Sequence, residues 1–200
     1  IKSKDSFIYC ENGWHDSQSN ISRFGKNAYM ENEKQKLKGD SIIYDRNLSI
    51  GRVMGNVSVV DTAEDLVING NLLIHYEKDS ISIVTGKAML TQFDETDTLY
   101  LHADTLLVKY DSLKLDTVKK RVMFAYHHVK FFKTDMQGKC DSLVFSDADS
   151  TIKMYRKPVI WSNENQMTAD YIQITTYSGK VESMLFDKNA FIISEVDPDS

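Results

Sequence analysis

Apolar residues recur at every second position along most of this chain. The pattern is plain in Leu72-Ile74-Tyr76, Ile81-Ile83, Leu99-Leu101-Ala103, Leu106-Val108-Tyr110 and Ile152-Met154. In a pleated strand that spacing puts the apolar side chains on one face and the polar ones on the other. Short turn-forming clusters separate the runs, among them Asn69-Gly70, Lys78-Asp79-Ser80, Asp94-Glu95-Thr96-Asp97, Asp147-Ala148-Asp149-Ser150 and Ser178-Gly179. The charge-rich run from Tyr29 to Lys38 has no apolar stripe and reads as a strand end followed by a loop.

The strands form a repeat. An acidic or amide residue opens six of them, at Asp5, Asp40, Asn71, Asp104, Asp141 and Asp170, with spacings of 35, 31, 33, 37 and 29 residues, about 33 on average. A second strand follows each time, starting at Gly25, Gly55, Gly86, His127, Lys157 and Lys188. A period of this size marks a stacked array in which no unit buries its apolar face alone. The uneven spacing points to hairpin loops of variable length. The recurring Asp or Asn has a structural reading: a short polar side chain beside a strand accepts bonds from nearby backbone and shapes a corner. Five carboxylates and one amide, a repeat apart, would also stand in a row rather than converge. Small residues precede five of these anchors (Gly39, Gly70, Ala103, Cys140 and Ala169), as a narrow inward slot would require.

Composition agrees with one folded β domain over residues 1–200, with flexible ends at 1–4 and 195–200. The chain is 42% hydrophobic and has two prolines, Pro158 and Pro198. It carries 24 basic against 29 acidic residues, a net charge of -5, with Lys119-Lys120-Arg121 the one basic cluster, so nucleic acid is not an expected partner. No run of about 18 apolar residues suits a membrane-spanning helix. Cys140 reads as a small buried residue, with a bond to Cys10 left open. His15, His75, His102, His127 and His128 lack metal-ligand spacing, and the strand neighbours His127 and His128 are expected on opposite faces. With no phosphate loop or nucleophile elbow either, no catalytic residue, metal or cofactor is expected.

Alternation assigns an inward apolar set: Ile42, Tyr44, Val57, Val59, Leu72, Ile74, Ile83, Leu90, Leu106, Val108, Phe124, Val129, Phe131, Leu143, Phe145, Val159, Trp161, Ile172 and Ile174, with Phe7 and Ile192 near the ends. Such a set lines either a packed core or a slot for acyl chains, and periodicity does not separate the two.

The cadence Gly39-Asp40-Ser41-Ile42-Ile43-Tyr44-Asp45, then Gly55-Asn56-Val57-Ser58-Val59 and His102-Ala103-Asp104-Thr105-Leu106, resembles the OstA/LptA-like family, in particular its Bacteroidetes OstA-like branch. The stretches from Ala125 to Ser142 and from Asn165 to Asp170 extend the resemblance over about Asp5 to Ile193. It implies an all-β, open-ended β-jellyroll of stacked antiparallel strands in the periplasm or at the outer membrane of a diderm envelope. The inward set would then be a groove for the lipid A acyl chains of lipopolysaccharide. The implied partners are lipopolysaccharide, other jellyroll transport components of the inner and outer membranes, and a head-to-tail homo-oligomer. End-to-end contacts would fall on Phe7, Ile8, Tyr9, Phe191, Ile192 and Ile193, where open edges invite strand pairing. Two features depart from the family pattern: an extra hairpin expected near Leu113 to Arg121, and the lack of a basic rim for lipid phosphates. A structural or adhesive solenoid with a closed core is the alternative, and a carbohydrate-active solenoid enzyme the third reading.

Overall fold

The computed structural model describes residues 7–94, 97–111, 120–177 and 180–194. The strands are β1 (Phe7–Tyr9), β2 (Asn12–Asp16), β3 (Ile21–Glu31), β4 (Gln35–Asp45), β5 (Ile50–Asp61), β6 (Leu66–Tyr76), β7 (Ile81–Phe93) and β8 (Thr98–Asp111). There follow β9 (Lys120–Lys133), β10 (Met136–Ser146), β11 (Thr151–Tyr155), β12 (Val159–Ser162), β13 (Asn165–Thr168), β14 (Tyr171–Tyr177), β15 (Lys180–Asp187) and β16 (Phe191–Ile193). All belong to one open sheet, and hairpin succeeds hairpin from one edge to the other.

Every ribbon of this sheet bends near its middle, and the sequence shows why. In β3, β5, β7 and β9 two consecutive residues have left-handed backbones: Lys26-Asn27, Gly55-Asn56, Gly86-Lys87 and His127-His128. Each pair stands opposite a single residue of the following strand, so the ladder slips there. Two residues against one is a bulge, which bends and twists the sheet locally. The residues opposite are Asp40, Asn71, Asp104 and Asp141, the anchors of the repeat. Arg156-Lys157 and Lys188-Asn189 repeat the left-handed pair and divide β11 from β12 and β15 from β16. Eight long strands and four pairs of short ones thus make twelve bent ribbons, or six hairpins, among the described residues.

Left-handed backbone strains residues other than glycine by about 1 kcal/mol or more. Side-chain bonds across the bend offset it. Asn56 Nδ2 donates to Asp40 at 3.0 Å, Asn189 Nδ2 donates to Asp170 at 3.0 Å, and His128 Nδ1 lies 2.8 Å from Asp104. Asp141 faces His127 Nδ1 and Arg156 Nη1, each at 3.2 Å. In the first unit Glu11 accepts from Asn27 and follows the small Cys10, so Glu11 holds the anchor position there. Asp5, the ends at 1–4 and 195–200, and residues 113–119 of the expected extra hairpin lie outside the described residues. The run from Tyr29 to Lys38 is strand, turn and strand: Asn32 Oδ1 accepts from the amides of Lys34 and Gln35 and lets β4 begin at Gln35. His127 and His128 do not split between two faces, because the bulge turns each toward its own Asp.

The bend divides the sheet into two wings. The first holds residues 21–25, 41–45, 50–54, 72–76, 81–85, 105–111, 120–126 and 142–146 with β2, β11, β14 and β15. The second holds the other half of each ribbon. Rows of paired residues cross each wing. On the inner face of the first wing Ile42, Val53, Leu73, Val84, Leu106, Ala125, Leu143, Met154 and Ile172 stand side by side, none more than 7% exposed. The second wing answers with Leu37, Val59, Ile68, Leu90, Leu101, Phe131, Gly138, Ile160 and Met167. Between them, inside the bend, runs a row of mostly small residues, Ala28, Gly39, Gly70, Ala88, Ala103, Cys140 and Ala169, with Val57 and Val129 among them. A Cβ on Gly39 would sit 2.3 Å from Val53 Cγ1, and one on Gly70 2.5 Å from Val84 Cγ1. At these two glycines the wings meet too closely for a side chain. Each fully buried Leu or Ile of these rows contributes about 2 kcal/mol through removal from water.

Candidate functional site

One row further from the bend, the inner face of the first wing turns toward the mouth between the wings, with Met123 and Ile174 still buried at 7% and 0% exposure. Its members, in strand order, are Ser22, Tyr44, Gly51, His75, Ser82, Val108, Met123, Phe145, Ile152, Ile174 and Met184. The first five are polar or small, and the other six are apolar. His75 Nδ1 lies 2.9 Å from Ser82 Oγ, and Tyr44 donates its hydroxyl to Glu77 at 2.6 Å, which holds the phenol pKa above its usual value. At the tip of the apolar stretch Arg121 lies 5.7 Å over the Phe145 ring. Its Nε is 3.3 Å from Asp147, and its Nη1 is 3.8 Å from Glu64 in the turn at the tip of the second wing. That last contact joins the two wings across the mouth. Burial beside it pushes the Tyr110 phenol pKa up.

Of the expected inward set, Ile42, Tyr44, Val57, Val59, Leu90, Leu106, Val108, Val129, Phe131, Leu143, Phe145, Ile172 and Ile174 lie on the inner face. Leu72, Ile74, Ile83, Phe124, Val159 and Trp161 do not. Ile74 pairs with Arg52 and Ile83, Ile83 with Leu107, and Leu107 with Phe124, a row on the outer face of the first wing. Val159 pairs with Lys139 on the outer face of the second, and Trp161 Nε1 donates to Gln166 there. The physical reason is the anchor. Inner positions step by two along a strand but by three across it, from Gly39 to Ile42, Gly70 to Leu73 and Ala103 to Leu106. Alternation carried straight through Gly70 selects Leu72 and Ile74, whereas the bend selects Leu73. The inner residues missed for this reason include Val53, Leu73, Val84, Met154 and Ile160, although anchor-plus-two is apolar in every unit from the second onward.

Both ends of the sheet are open edges. Among the described residues β2 pairs with β3 alone, β15 with β14 and β16 with β13. The end residues Phe191, Ile192 and Ile193 are 60%, 56% and 50% exposed, and Tyr9 is 43% exposed beside Phe7 and Ile8.

Chemistry at other groups is sparse. No group of three or more His, Cys, Asp or Glu side chains suited to a metal ion occurs among the described residues. Cys10 and Cys140 are both free thiols at equivalent points of the first and fifth units. Burial pushes the Cys140 thiol up to about 12, where it is inert as a nucleophile. Asp141 is held below the usual carboxylate range, first by the Ser142 hydroxyl and then by His127. The anchors therefore bind the fold's own side chains. Surface depressions of about 710 and 310 Å³ lie along the bend, the larger lined by Ser142, Tyr155, Arg156, Lys157 and Asp170.

Comparison with known proteins adds three findings. No curated protein matches the chain. Among solved structures it is similar to LptH, the LptA homologous periplasmic component of the conserved lipopolysaccharide transport device from Pseudomonas aeruginosa. The identity is 7% over 96% of this chain and 95% of that one, with a TM-score of 0.24. A family model described as LptA/(LptD N-terminal domain) LPS transport protein matches residues 67–180, from β6 to the start of β15. That match takes in more than half of the chain, with four of its anchors: the chain belongs to the LptA/LptD N-terminal domain family of LPS transport proteins.

Proposed function

We propose that the chain is a periplasmic lipid-transport module that shields the acyl chains of lipopolysaccharide between its wings and joins end to end with like modules toward the outer membrane. The observation that carries this reading is the continuous apolar deep row of the inner face, which runs across the sheet from Ile42 of β4 to Ile172 of β14. A ladder of this kind passes a chain-like cargo along itself without a closed pocket. Its edges offer unpaired backbone to a further module at either end, the mode by which extended strands extend a sheet. Membership of an LPS transport family supplies the cargo class.

One observation favours a second reading, a scaffold with a closed core: the deep inner row is packed, with Leu106, Met154 and Ile172 at 1%, 0% and 0% exposure. A photoreactive residue at Val108, Phe145 or Ile174 and at the outer positions Ile74, Lys109 and Gln173, irradiated with lipopolysaccharide, separates the two. Adducts confined to the inner set support transport. Adducts nowhere, in folded protein, leave the scaffold.

A further inference from the structure

The row at the mouth changes character once along its length. From β3 to β7 it presents Ser22, Tyr44, Gly51, His75 and Ser82, and from β8 to β15 it presents Val108, Met123, Phe145, Ile152, Ile174 and Met184. The deep row beside it is apolar from end to end, so on the first wing the change belongs to the outer row alone. The apolar stretch crosses six strands, about 24 Å at the ~4.8 Å spacing of neighbouring strands.

We infer that this mouth sorts an amphipathic glycolipid along the strand order, with the acyl chains over β8 to β15 and the hydroxyl-bearing part of the same molecule over β3 to β7. The inference rests on the lipid-transport reading and adds a direction to it. A methylene laid on Val108, Phe145 or Ile152 leaves water for an apolar surface. The same methylene laid on the His75–Ser82 pair or on Tyr44 would strip water from polar groups and give no bond in return. A sugar hydroxyl there both donates and accepts, as Ser82, His75 and Tyr44 do. Gly51 widens the polar stretch: the nearest atom to a Cβ built on it is the His75 Cβ at 4.0 Å. Within the apolar stretch, at the tip of β9, Arg121 covers Phe145 and meets Glu64.

The test uses the whole chain and an acyl-only probe, a fatty acid with a terminal diazirine, with adducts located by peptide mass spectrometry. Adducts should favour peptides of β8–β11, β14 and β15 over those of β3–β7 by about tenfold, the weight of roughly one polar group left without its water. The variant Gly51→Val/His75→Val/Ser82→Val, checked for folding by its thermal transition, should spread adducts into β5–β7. Equal labelling of both stretches in the parent chain overturns the sorting and leaves the lipid-transport reading intact. A variant that folds and labels as the parent does also overturns it. No adduct anywhere, in folded parent protein, removes the transport reading and the sorting with it.

Discussion

Arg121 of β9 and Glu64 of the β5–β6 turn meet across the mouth, 3.8 Å apart, and join the tips of two wings whose inner faces share one core. The Arg121 side chain is 12% exposed and Glu64 54%, so the pair is half in solvent. Removal of Arg121 also uncovers Phe145. Arg121→Ala should lower unfolding stability by about 1–2 kcal/mol, more through lost packing than lost charge, and should raise binding of an apolar dye. Glu64→Gln should cost about 0.5 kcal/mol or less. Urea titration with a dye reporter checks both. Unchanged dye binding in Arg121→Ala would mean that the contact does not close the mouth.

The bend has no room for a side chain at Gly39 and Gly70. Gly39→Ala and Gly70→Ala should each cost about 1–3 kcal/mol, because the new methyl meets Val53 or Val84. Gly51→Ala, with open space around it, should stay within about 0.5 kcal/mol of the parent. In the double variant Gly39→Ala/Val53→Ala the two costs should fail to add, since the truncated valine makes room for the methyl. Additive costs in urea melts would place the strain of Gly39→Ala in the backbone instead.

Acid stability should depend on a turn carboxylate. The Thr151 hydroxyl, ahead of bonds from Ser146 and Lys153, holds Asp149 down at about 2 against an ordinary 3.8. A depressed carboxylate contributes stability that is present above the unfolded value and lost as pH falls through the folded one. The melting temperature should therefore fall between about pH 4 and pH 2, and Thr151→Val should flatten that slope. Identical acid limbs for parent and variant would dissociate the bond from the transition.

The two thiols should respond differently. Cys140 is 8% exposed and its thiol is pushed to about 12, whereas Cys10 is half-buried at the edge ribbon. Maleimide at neutral pH should label Cys10 alone in native protein and both thiols in urea, as counted by intact mass. Native labelling of Cys140 would show that the bend opens in solution.

Leu106→Asp places an unpaired carboxylate in the deep row and should cost about 4 kcal/mol or unfold the chain. Ile74→Asp, on the outer face, should cost about 1 kcal/mol, much as Lys109→Asp does. Circular dichroism melts decide it, and equal losses at positions 74 and 106 would reverse the assignment of faces.

The repeat was legible because its anchors are chemically distinct: Asp40, Asn71, Asp104, Asp141 and Asp170 stand out from their strands, and small residues precede them. The faces were only partly legible. Around Leu72-Leu73-Ile74 three apolar residues follow one another, and Ile83 and Phe124 are apolar on the outer face as well, so period-two counting has no polar partner to fix its phase. The bulge then shifts the phase by one residue at each anchor. Left-handed pairs such as His127-His128 and Arg156-Lys157 carry no glycine to mark them, unlike Gly55-Asn56 and Gly86-Lys87. The contact of Arg121 with Glu64 depends on how far the wings fold over, and no local pattern records that.

Each hairpin carries its own corner, with an anchor residue on one strand and the left-handed pair that it holds on the next. The array can therefore gain or lose a whole hairpin and leave its neighbours' geometry untouched, whereas a one-residue insertion inside a ribbon would reverse the faces on one side of the corner. Length in such a chain changes in steps of two strands, and the span that the module covers is set by counting hairpins.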